Sequence, residues 1–296
     1  MRMNHFVFLA SVVLLFAACS NDDSCVDFLP KPSENLKSIS FVKHYDGNVA
    51  LLEKESFHFG KDGTLSQYIS LRNTAGKEYV STSNLTRIDT VADKQAPYHY
   101  TYDSWKNNTN LYESRYYLSD YPSVCTYALK VTAGSENSTH AFLMKYIYMD
   151  NKPYISEIRD MVRKTEKEYY RLEWDYSKFK EGEITVRNFL MDELKYTARL
   201  TIEQRDNLNM ADVQYLDYHP INKHYELLYS GFLGTFDYVI TQQESDNDLY
   251  IPNQSADYTF SKEGLPLQVV LTPAKEGKQS VRYNFEYEWI KKSSLE

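Results

Sequence analysis

Strict alternation of apolar and polar residues recurs along this chain, and it is the feature that most restricts the fold. Residues 281–289 read VRYNFEYEW, in which every second residue is apolar or aromatic and the intervening residues are charged or amide. The same period of two appears in YRLEWDY (170–176), KYTARLTIE (195–203) and YHYTYD (98–103). Successive side chains of a strand point to opposite faces, so each run predicts a strand with one dry and one wet face, as is typical of antiparallel sheets.

A second pattern joins such strands into hairpins. FHFGKDGTLSQY (57–68) and YTFSKEGLPLQV (258–269) share two aromatic residues, a Lys-acid-Gly turn and a following apolar alternation. Gly63 and Gly264 supply the positive φ that a tight turn requires. YIYMDNKPYISEI (146–158) is a more degenerate third copy. The copies are unevenly spaced, which favours hairpins of a meander over a solenoid.

Residues 207–235 break the alternation. Leu227, Leu228, Phe232 and Leu233 cluster without a period of two, and glycines follow at 231 and 234. This predicts a short helix or compact segment that caps or plugs an open end of the sheet. No Pro/Gly/Ser linker divides the chain. We therefore expect one all-β domain over 37–296, a large, strongly curved antiparallel meander that is barrel-like or a half-barrel.

Composition limits the classes of partner. The chain of 296 residues carries 27 Tyr, 14 Phe and 3 Trp, and Tyr suits a half-buried pleated surface. Its formal charge of −8 argues against nucleic acid and against anionic lipid headgroups as partners.

The N-terminus predicts export and a lipid anchor. A basic residue at Arg2 precedes an uncharged apolar run, Phe6 to Ala18, of the length of a secretory leader. The boundary Phe16-Ala17-Ala18-Cys19 resembles a bacterial lipobox, with Phe16 in place of the usual leucine. That resemblance implies a signal peptide over 1–18, acylation of Cys19 by chains such as palmitate, and a flexible tether over 19–36. Two or more acyl chains hold a protein stably where one does not.

The residues that follow Cys19 indicate where in the cell the protein is located. Ser20-Asn21-Asp22-Asp23 resembles the export signal of Bacteroidetes-type surface lipoproteins. The resemblance implies a protein anchored in the outer membrane and facing the cell exterior. The alternative is a plain solvated linker.

A further resemblance covers the C-terminal third. YTFSKEGLPLQVVL, the closing strand YNFEYEW and the segment ELLYSGFLGT are similar to a Bacteroidetes lipoprotein family, the domain-of-unknown-function family numbered 4595. The family is described as having a porin-like β fold. Its motifs are structural, so the resemblance implies a curved antiparallel sheet and no catalytic residues.

No motif for chemistry stands out. The chain has no G-x-S-x-G, P-loop, G-x-G-x-x-G or H-E-x-x-H. The pair His219 and His224 lacks a third metal ligand. The acids of ESDND (244–248) lack the spacing of a calcium loop, and a solvated turn explains them better. Glu173 and Asp175 lie on the wet face of a strand. We expect no catalytic residue, metal or cofactor, and no enzyme.

Aromatic residues give the one hint of a ligand site. Most fall on the dry faces of strands, but Trp105 follows the Tyr98–Tyr102 run in YDSWKNNTN, beside an asparagine-rich stretch predicted to be a loop. Loops carry function, and exposed rings stack on sugars and peptides. We therefore predict a ligand site at Trp105, Tyr102, Asn107 and Asn108.

Two covalent features remain open. Asp89-Thr90-Val91 resembles a bacterial O-glycosylation acceptor, which makes Thr90 a weak candidate, and an unmodified strand end is the alternative. Cys25 and Cys125 could pair in an oxidising compartment, but a buried free thiol at Cys125 is the better interpretation.

These observations favour a non-catalytic surface lipoprotein that captures a glycan or peptide. The alternatives are a structural or adhesive protein, which a long uncovered edge strand would favour, and a binder of an apolar small molecule, which a cavity within the curved sheet would favour.

Overall fold

The computed structural model describes residues 36–45, 53–61, 63–74, 77–87, 100–106, 109–118, 125–132, 140–149, 152–160, 170–205, 208, 212–218, 228–229 and 236–290. These residues form sixteen strands and two short 3₁₀ helices, which confirms the all-β prediction. The strands are β1 (Leu36–Tyr45), β2 (Glu53–Phe59), β3 (Leu65–Thr74), β4 (Lys77–Arg87), β5 (Tyr100–Lys106), β6 (Thr109–Leu118), β7 (Cys125–Thr132), β8 (His140–Met149), β9 (Lys152–Asp160), β10 (Tyr170–Asp175), β11 (Glu183–Leu190), β12 (Glu193–Gln204), β13 (Tyr238–Ser245), β14 (Gln254–Phe260), β15 (Pro266–Pro273) and β16 (Val281–Trp289). The 3₁₀ helices are Phe179–Glu181 and Val213–Tyr218.

The strands form an up-and-down antiparallel meander that closes on itself. Each strand pairs with its neighbours in sequence, and β1 pairs with β16 to complete a barrel. In that closing pair Phe41 lies opposite Phe285, and the register runs on to Tyr45 opposite Val281. The prediction of a barrel-like or half-barrel meander is therefore resolved as a closed barrel.

The alternating strand directions define two ends. We call the end where β1 begins, at Leu36, the proximal end, and the opposite end the distal end. The connections β2–β3, β12–β13 and β14–β15 lie at the proximal end. The connections β11–β12, β13–β14 and β15–β16 lie at the distal end.

The predicted hairpins are present. Gly63 and Gly264 have φ of 76° and 79° in the β2–β3 and β14–β15 turns. The two turns are built alike, because Gly60 N donates to Thr64 O at 2.7 Å and Ser261 N donates to Leu265 O at 2.8 Å. The third predicted copy is the β8–β9 hairpin.

The dry faces of the strands point into the barrel. Along β12, Tyr196, Ala198, Leu200 and Ile202 are buried, whereas the alternate positions are polar or charged and more exposed. Positive and negative side chains meet on the outside, as where Arg187 and Asp175 lie 3.6 Å apart.

The segment between β12 and β13 enters the lumen. In its first part the Tyr215 ring stacks on Trp174 of β10, with centroids 4.8 Å apart. In its second part the Tyr229 ring lies 4.3 Å from Phe57 of β2. Strands β2 and β10 are eight strands apart around the barrel, so the described residues of the segment contact opposite sides of the interior. We call its described residues (208, 212–218, 228–229 and 236–237) the plug.

Of the compact segment predicted at 207–235 the structure describes residues 208, 212–218 and 228–229, and these agree with the prediction with one difference. Its regular part is the 3₁₀ helix Val213–Tyr218, and Leu228 and Tyr229 are helical as well. It fills the interior instead of covering only the rim. A sixteen-strand barrel is wide enough to leave an aqueous channel, so the described part of this lumen needs such filling to bury its aromatic faces.

Within the part of the chain that the structure describes, no helix has both the length and the apolar character needed to cross a membrane.

Candidate functional site

A polar groove opens at the distal end of the barrel. It lies where the end of β13, the start of β14 and the end of β15 run side by side. Its volume is about 520 Å³, within the size range of small-molecule sites. The groove is lined by Gln242, Gln243, Glu244, Ser245, Asn253, Gln254, Ser255, Thr272, Pro273 and Ala274.

Amide side chains dominate this lining, and several are fixed by bonds to the scaffold. Gln243 is buried and donates from Nε2 to Pro252 O. Asn253 Oδ1 accepts from Ser245 N at 2.5 Å, which ties the start of β14 to the end of β13. Gln254 Nε2 donates to Gln214 Oε1 of the plug at 3.3 Å. The groove is therefore held in shape by its own polar groups.

The groove carries little charge. Among the described residues of its lining only Glu244 is ionisable, and the Glu244 carboxylate pairs with the guanidinium of Arg199 on β12. Glu244 also accepts from Gln242 Nε2 at 3.1 Å. Because the Glu244 carboxylate is already paired, the described lining offers a ligand mainly neutral donors and acceptors.

The ladder between β13 and β14 is short at this place. Only Gln242 with Ser255 and Gln243 with Gln254 are paired. Towards the proximal end, residues of the plug bond to β13 in place of β14. There Asp212 accepts from Ile240 N at 2.7 Å and from the Tyr258 hydroxyl at 2.8 Å.

Gln214 completes this junction. Its Nε2 donates to the Ile240 carbonyl at 2.8 Å, and its main-chain N–H donates to Asp212 Oδ1 at 2.9 Å. On its proximal side the groove therefore borders the place where β13 and β14 are no longer paired. There Asp212 and Gln214 of the plug bond to Ile240 of β13, and we call this junction the seam.

A buried carboxyl forms a second unusual site. Glu55 of β2 is fully buried on the same face as Phe57 and Phe59. It accepts from the Tyr68 hydroxyl at 2.7 Å and from Ser70 Oγ at 3.1 Å. Burial raises the pKa of Glu55 to about 7 against the opposing effect of these two donors.

The structure places the predicted ligand residues as follows. Tyr102 and Trp105 lie within β5, so Trp105 stands at the distal end of a strand and not in the predicted loop. Tyr102 is paired with Leu85 and Trp105 with Thr82 of β4. Asn107 and Asn108 lie outside the described residues.

The groove is separate from this predicted site. Strand β5 lies eight strands from β13 around the barrel, although both reach the distal end. A ligand role for Trp105 and its neighbours stays a prediction. The described residues also exclude Cys19, Cys25, Thr90, His219 and His224, and nothing structural bears on those predictions.

The acids of ESDND have structural partners. Asp246 Oδ1 accepts from Thr197 N at 2.8 Å, and Asp248 lies 4.0 Å from Lys275 Nζ. Among the side chains that the structure describes, no group of three or more His, Cys, Asp or Glu residues is placed to hold a metal.

Comparisons with known proteins agree with this fold. No protein-family model and no curated protein matches the sequence. The structure is similar to the crystal structure of a porin-like protein from Bacteroides uniformis ATCC 8492. The identity is 15%, the TM-score is 0.62, and the match covers 86% of this chain and 98% of that one. The fold is porin-like.

A second porin-like protein, from Bacteroides vulgatus ATCC 8482, matches with 10% identity and a TM-score of 0.41, over 86% of this chain and 99% of that one. The likeness to the Bacteroides uniformis protein, at 15% identity, concerns the fold alone and supports the predicted porin-like β fold, while membership of the family numbered 4595 stays a prediction.

Sequence reasoning missed the groove and the buried carboxyl. The groove residues come from two clusters, TQQES (241–245) and PNQS (252–255), whose concentration of amides was a visible signal. Glu55 was visible too, because it occupies the same phase as Phe57 and Phe59 in the alternation ESFHF.

Proposed function

We propose that this chain is a non-catalytic lipoprotein, anchored by Cys19 on the outer face of the outer membrane, that captures a ligand at the distal end of its barrel. The observation that carries the proposal is the polar groove formed by β13, β14 and β15 at that end. Membership of the family numbered 4595 belongs to the same proposal.

The position of the groove fits a protein held by its N-terminus. Strand β1 begins at the proximal end, so the chain from Cys19 reaches the barrel there. Residues 19–35, fully extended, would span at most about 60 Å. The groove lies at the end of the barrel opposite the one that this tether enters, where it is accessible to a passing ligand.

The polarity of the wall favours display in water over insertion. Outward positions on β12, β14 and β16 carry Arg199, Glu203, Asp257 and Glu286, which are exposed, together with further polar residues. Membrane barrels show the reverse pattern, an apolar outer band around a polar lumen.

The filled lumen also favours capture over conduction. Around the plug, Phe41 lies 6.2 Å from Tyr229 and 5.7 Å from Tyr283 between ring centroids. Tyr215 lies 4.9 Å from Phe236. These rings occupy the space that an apolar small molecule would need in the described part of the interior, so the small-molecule alternative has less support.

The adhesive alternative also has less support. Recruitment of a partner strand needs an uncovered edge. Every described strand has a neighbour on both sides in the closed barrel.

The test is a binding screen of the mature chain carrying Cys19→Ser, on glycan and peptide arrays, followed by calorimetry on each hit. We expect a bound ligand of modest affinity that is recovered chemically unchanged. Trp105→Ala separates the two candidate places: a ligand held in the groove should keep its affinity, whereas a ligand held at the predicted aromatic site should lose about 1–3 kcal/mol of binding free energy with the ring. The absence of any hit, or recovery of a cleaved ligand, would overturn the proposed function.

A further inference from the structure

The chemistry of the groove narrows the class of ligand. We infer that the groove between β13, β14 and β15 binds a neutral, hydroxyl-rich chain, that is, an uncharged glycan. The inference rests on the proposed function, because it assigns a ligand class to the same capture site.

Side chains that both donate and accept line the groove. Gln242, Asn253 and Gln254 each carry an amide with two N–H donors and a carbonyl acceptor. The scaffold uses one donor of Gln242, one acceptor site of Asn253 and one donor of Gln254. The amide donors and acceptors that these bonds leave unused suit sugar hydroxyls, which both donate and accept hydrogen bonds.

Hydroxyl side chains extend the same chemistry across the strands. Ser255 of β14 and Thr272 of β15 lie opposite each other in the ladder and are both exposed. Gln242 of β13 lies opposite Ser255 on the other side. The three side chains form a polar row across three neighbouring strands, spaced about 4.8 Å apart. A chain lying across these strands could bond to each in turn.

The charge balance disfavours an ionic ligand. The described lining contains no cation, and Glu244 is held by Arg199. A carboxylate or sulfate on the ligand would find no positive partner in the lining and would lie near Glu244. A cationic ligand would compete with Arg199 for that carboxylate.

Peptide capture fits the groove less well. An extended peptide gains most of its affinity by adding to a free strand edge. The main-chain groups of β13 below the groove are already bonded to the plug, as Ile240 N is to Asp212 and Ile240 O to Gln214. The groove therefore offers side-chain donors and acceptors in place of an open backbone edge.

The preorganised lining supports binding of a flexible polar chain. Gln243 is buried, and Gln254 is tied to the plug, so these amides lose little further freedom when a ligand binds. Pro273 and Ala274 add a small apolar border that can cover the C–H face of a sugar ring.

The experiment uses the mature chain carrying Cys19→Ser and calorimetry with defined oligosaccharides. The neutral probes are maltohexaose, cellohexaose, xylohexaose and mannohexaose. The acidic probes are a hexagalacturonate and a heparin hexasaccharide, and a neutral hexapeptide completes the set. We expect at least one neutral oligosaccharide to bind, and the acidic probes and the peptide to bind at least tenfold more weakly.

Three variants locate the site. Gln242→Ala and Thr272→Ala each remove an exposed lining group, and each should weaken binding about fivefold, the equivalent of one net hydrogen bond. Thr259→Ala, an exposed outward position on the same β14 strand but outside the lining, is the matched control and should bind as the parent does. Melting temperatures should agree within about 2 °C, since all three sites are on the surface.

The outcomes separate the two proposals. If a ligand binds but Gln242→Ala and Thr272→Ala leave its affinity unchanged, the groove assignment is wrong and capture elsewhere on the barrel stands. Preferential binding of the acidic probes or the peptide would also overturn the glycan assignment. If no probe in the set binds at millimolar concentration, the assignment of the groove to neutral glycans fails.

Discussion

The buried carboxyl of Glu55 makes the stability of the protein depend on pH. Glu55 is fully buried opposite Phe41 of β1, and its hydrogen bonds from Tyr68 and Ser70 do not offset the loss of water around it. With a pKa of about 7, it holds a proton in the folded protein under conditions in which the unfolded chain, at the ordinary value of 4.5, has lost it.

The stability should therefore fall as the pH rises. Between about pH 4.5 and pH 7 the folded state binds one more proton than the unfolded state. The stabilisation is fully present below that window and lost above it, a loss of about 3 kcal/mol. Urea unfolding at pH 4.5 and pH 8 measures it. Glu55→Gln is neutral throughout and should abolish that part of the dependence; an equal pH dependence in the variant would contradict the assignment.

At the scale of single residues, the sequence predicts the burial of apolar side chains but not the partners of polar ones. Alternation predicts which side chains enter the core, and Trp174, Leu200 and Tyr283 are buried as expected. It does not say which polar residues meet in space. Glu55 and Tyr68 are paired across two strands, whereas Gln214 and Gln254 come from segments far apart in the chain.

Among the elements, the plug has the most specific attachment. Asp212 is buried and accepts from two main-chain N–H groups and one hydroxyl. It takes the place of β14 beside Ile240, where the β13–β14 ladder has ended. The Asp212 side chain thus both accepts from a main-chain N–H of the barrel wall and attaches the plug to that wall.

Removal of this carboxylate should loosen the seam. Asp212→Ala leaves Ile240 N–H and the Gln214 N–H without their acceptor, and we expect a loss of about 2–4 kcal/mol in the free energy of unfolding. Hydrogen exchange at Ile240 should become faster. Asp257→Ala, at an exposed position on β14, is the control and should change stability by less than about 0.5 kcal/mol. Unchanged exchange at Ile240 in Asp212→Ala would show that the plug is held by other contacts.

Hairpins were predictable at the scale of elements, and the position of the plug was not. The β2–β3 and β14–β15 turns follow from local Lys-acid-Gly sequences. The lost alternation over 207–235 also predicts a compact segment, and the described residues 212–218 and 228–229 agree with it. Its place inside the lumen depends on Tyr215 and Tyr229 meeting Trp174 and Phe57, contacts that no local pattern encodes.

Closure is a property of the whole molecule. The pairing of β1 with β16 joins residues near opposite ends of the sequence, such as Ser38 with Glu288. Either a half-barrel or a barrel satisfies the same alternating pattern along each strand, so the sequence left both possible. Closure removes the edge strands and leaves the rims and the outer wall as the surfaces that can meet a partner.

The outer wall determines what we expect when the proposed anchor at Cys19 is removed. Charged side chains facing lipid near the bilayer centre cost about 2–4 kcal/mol each for Arg or Lys, and the outward positions of β12 include Arg199. We therefore expect the mature chain carrying Cys19→Ser to remain in the supernatant when it is sedimented with lipid vesicles without detergent, and to produce no conductance steps in a planar bilayer. The parent with Cys19, produced in a bacterial host, is the comparison; under the proposed acylation it should sediment with the vesicles. Membrane association of the Cys19→Ser chain, or stepwise conductance, would show that the barrel itself inserts, and the tethered arrangement would be wrong.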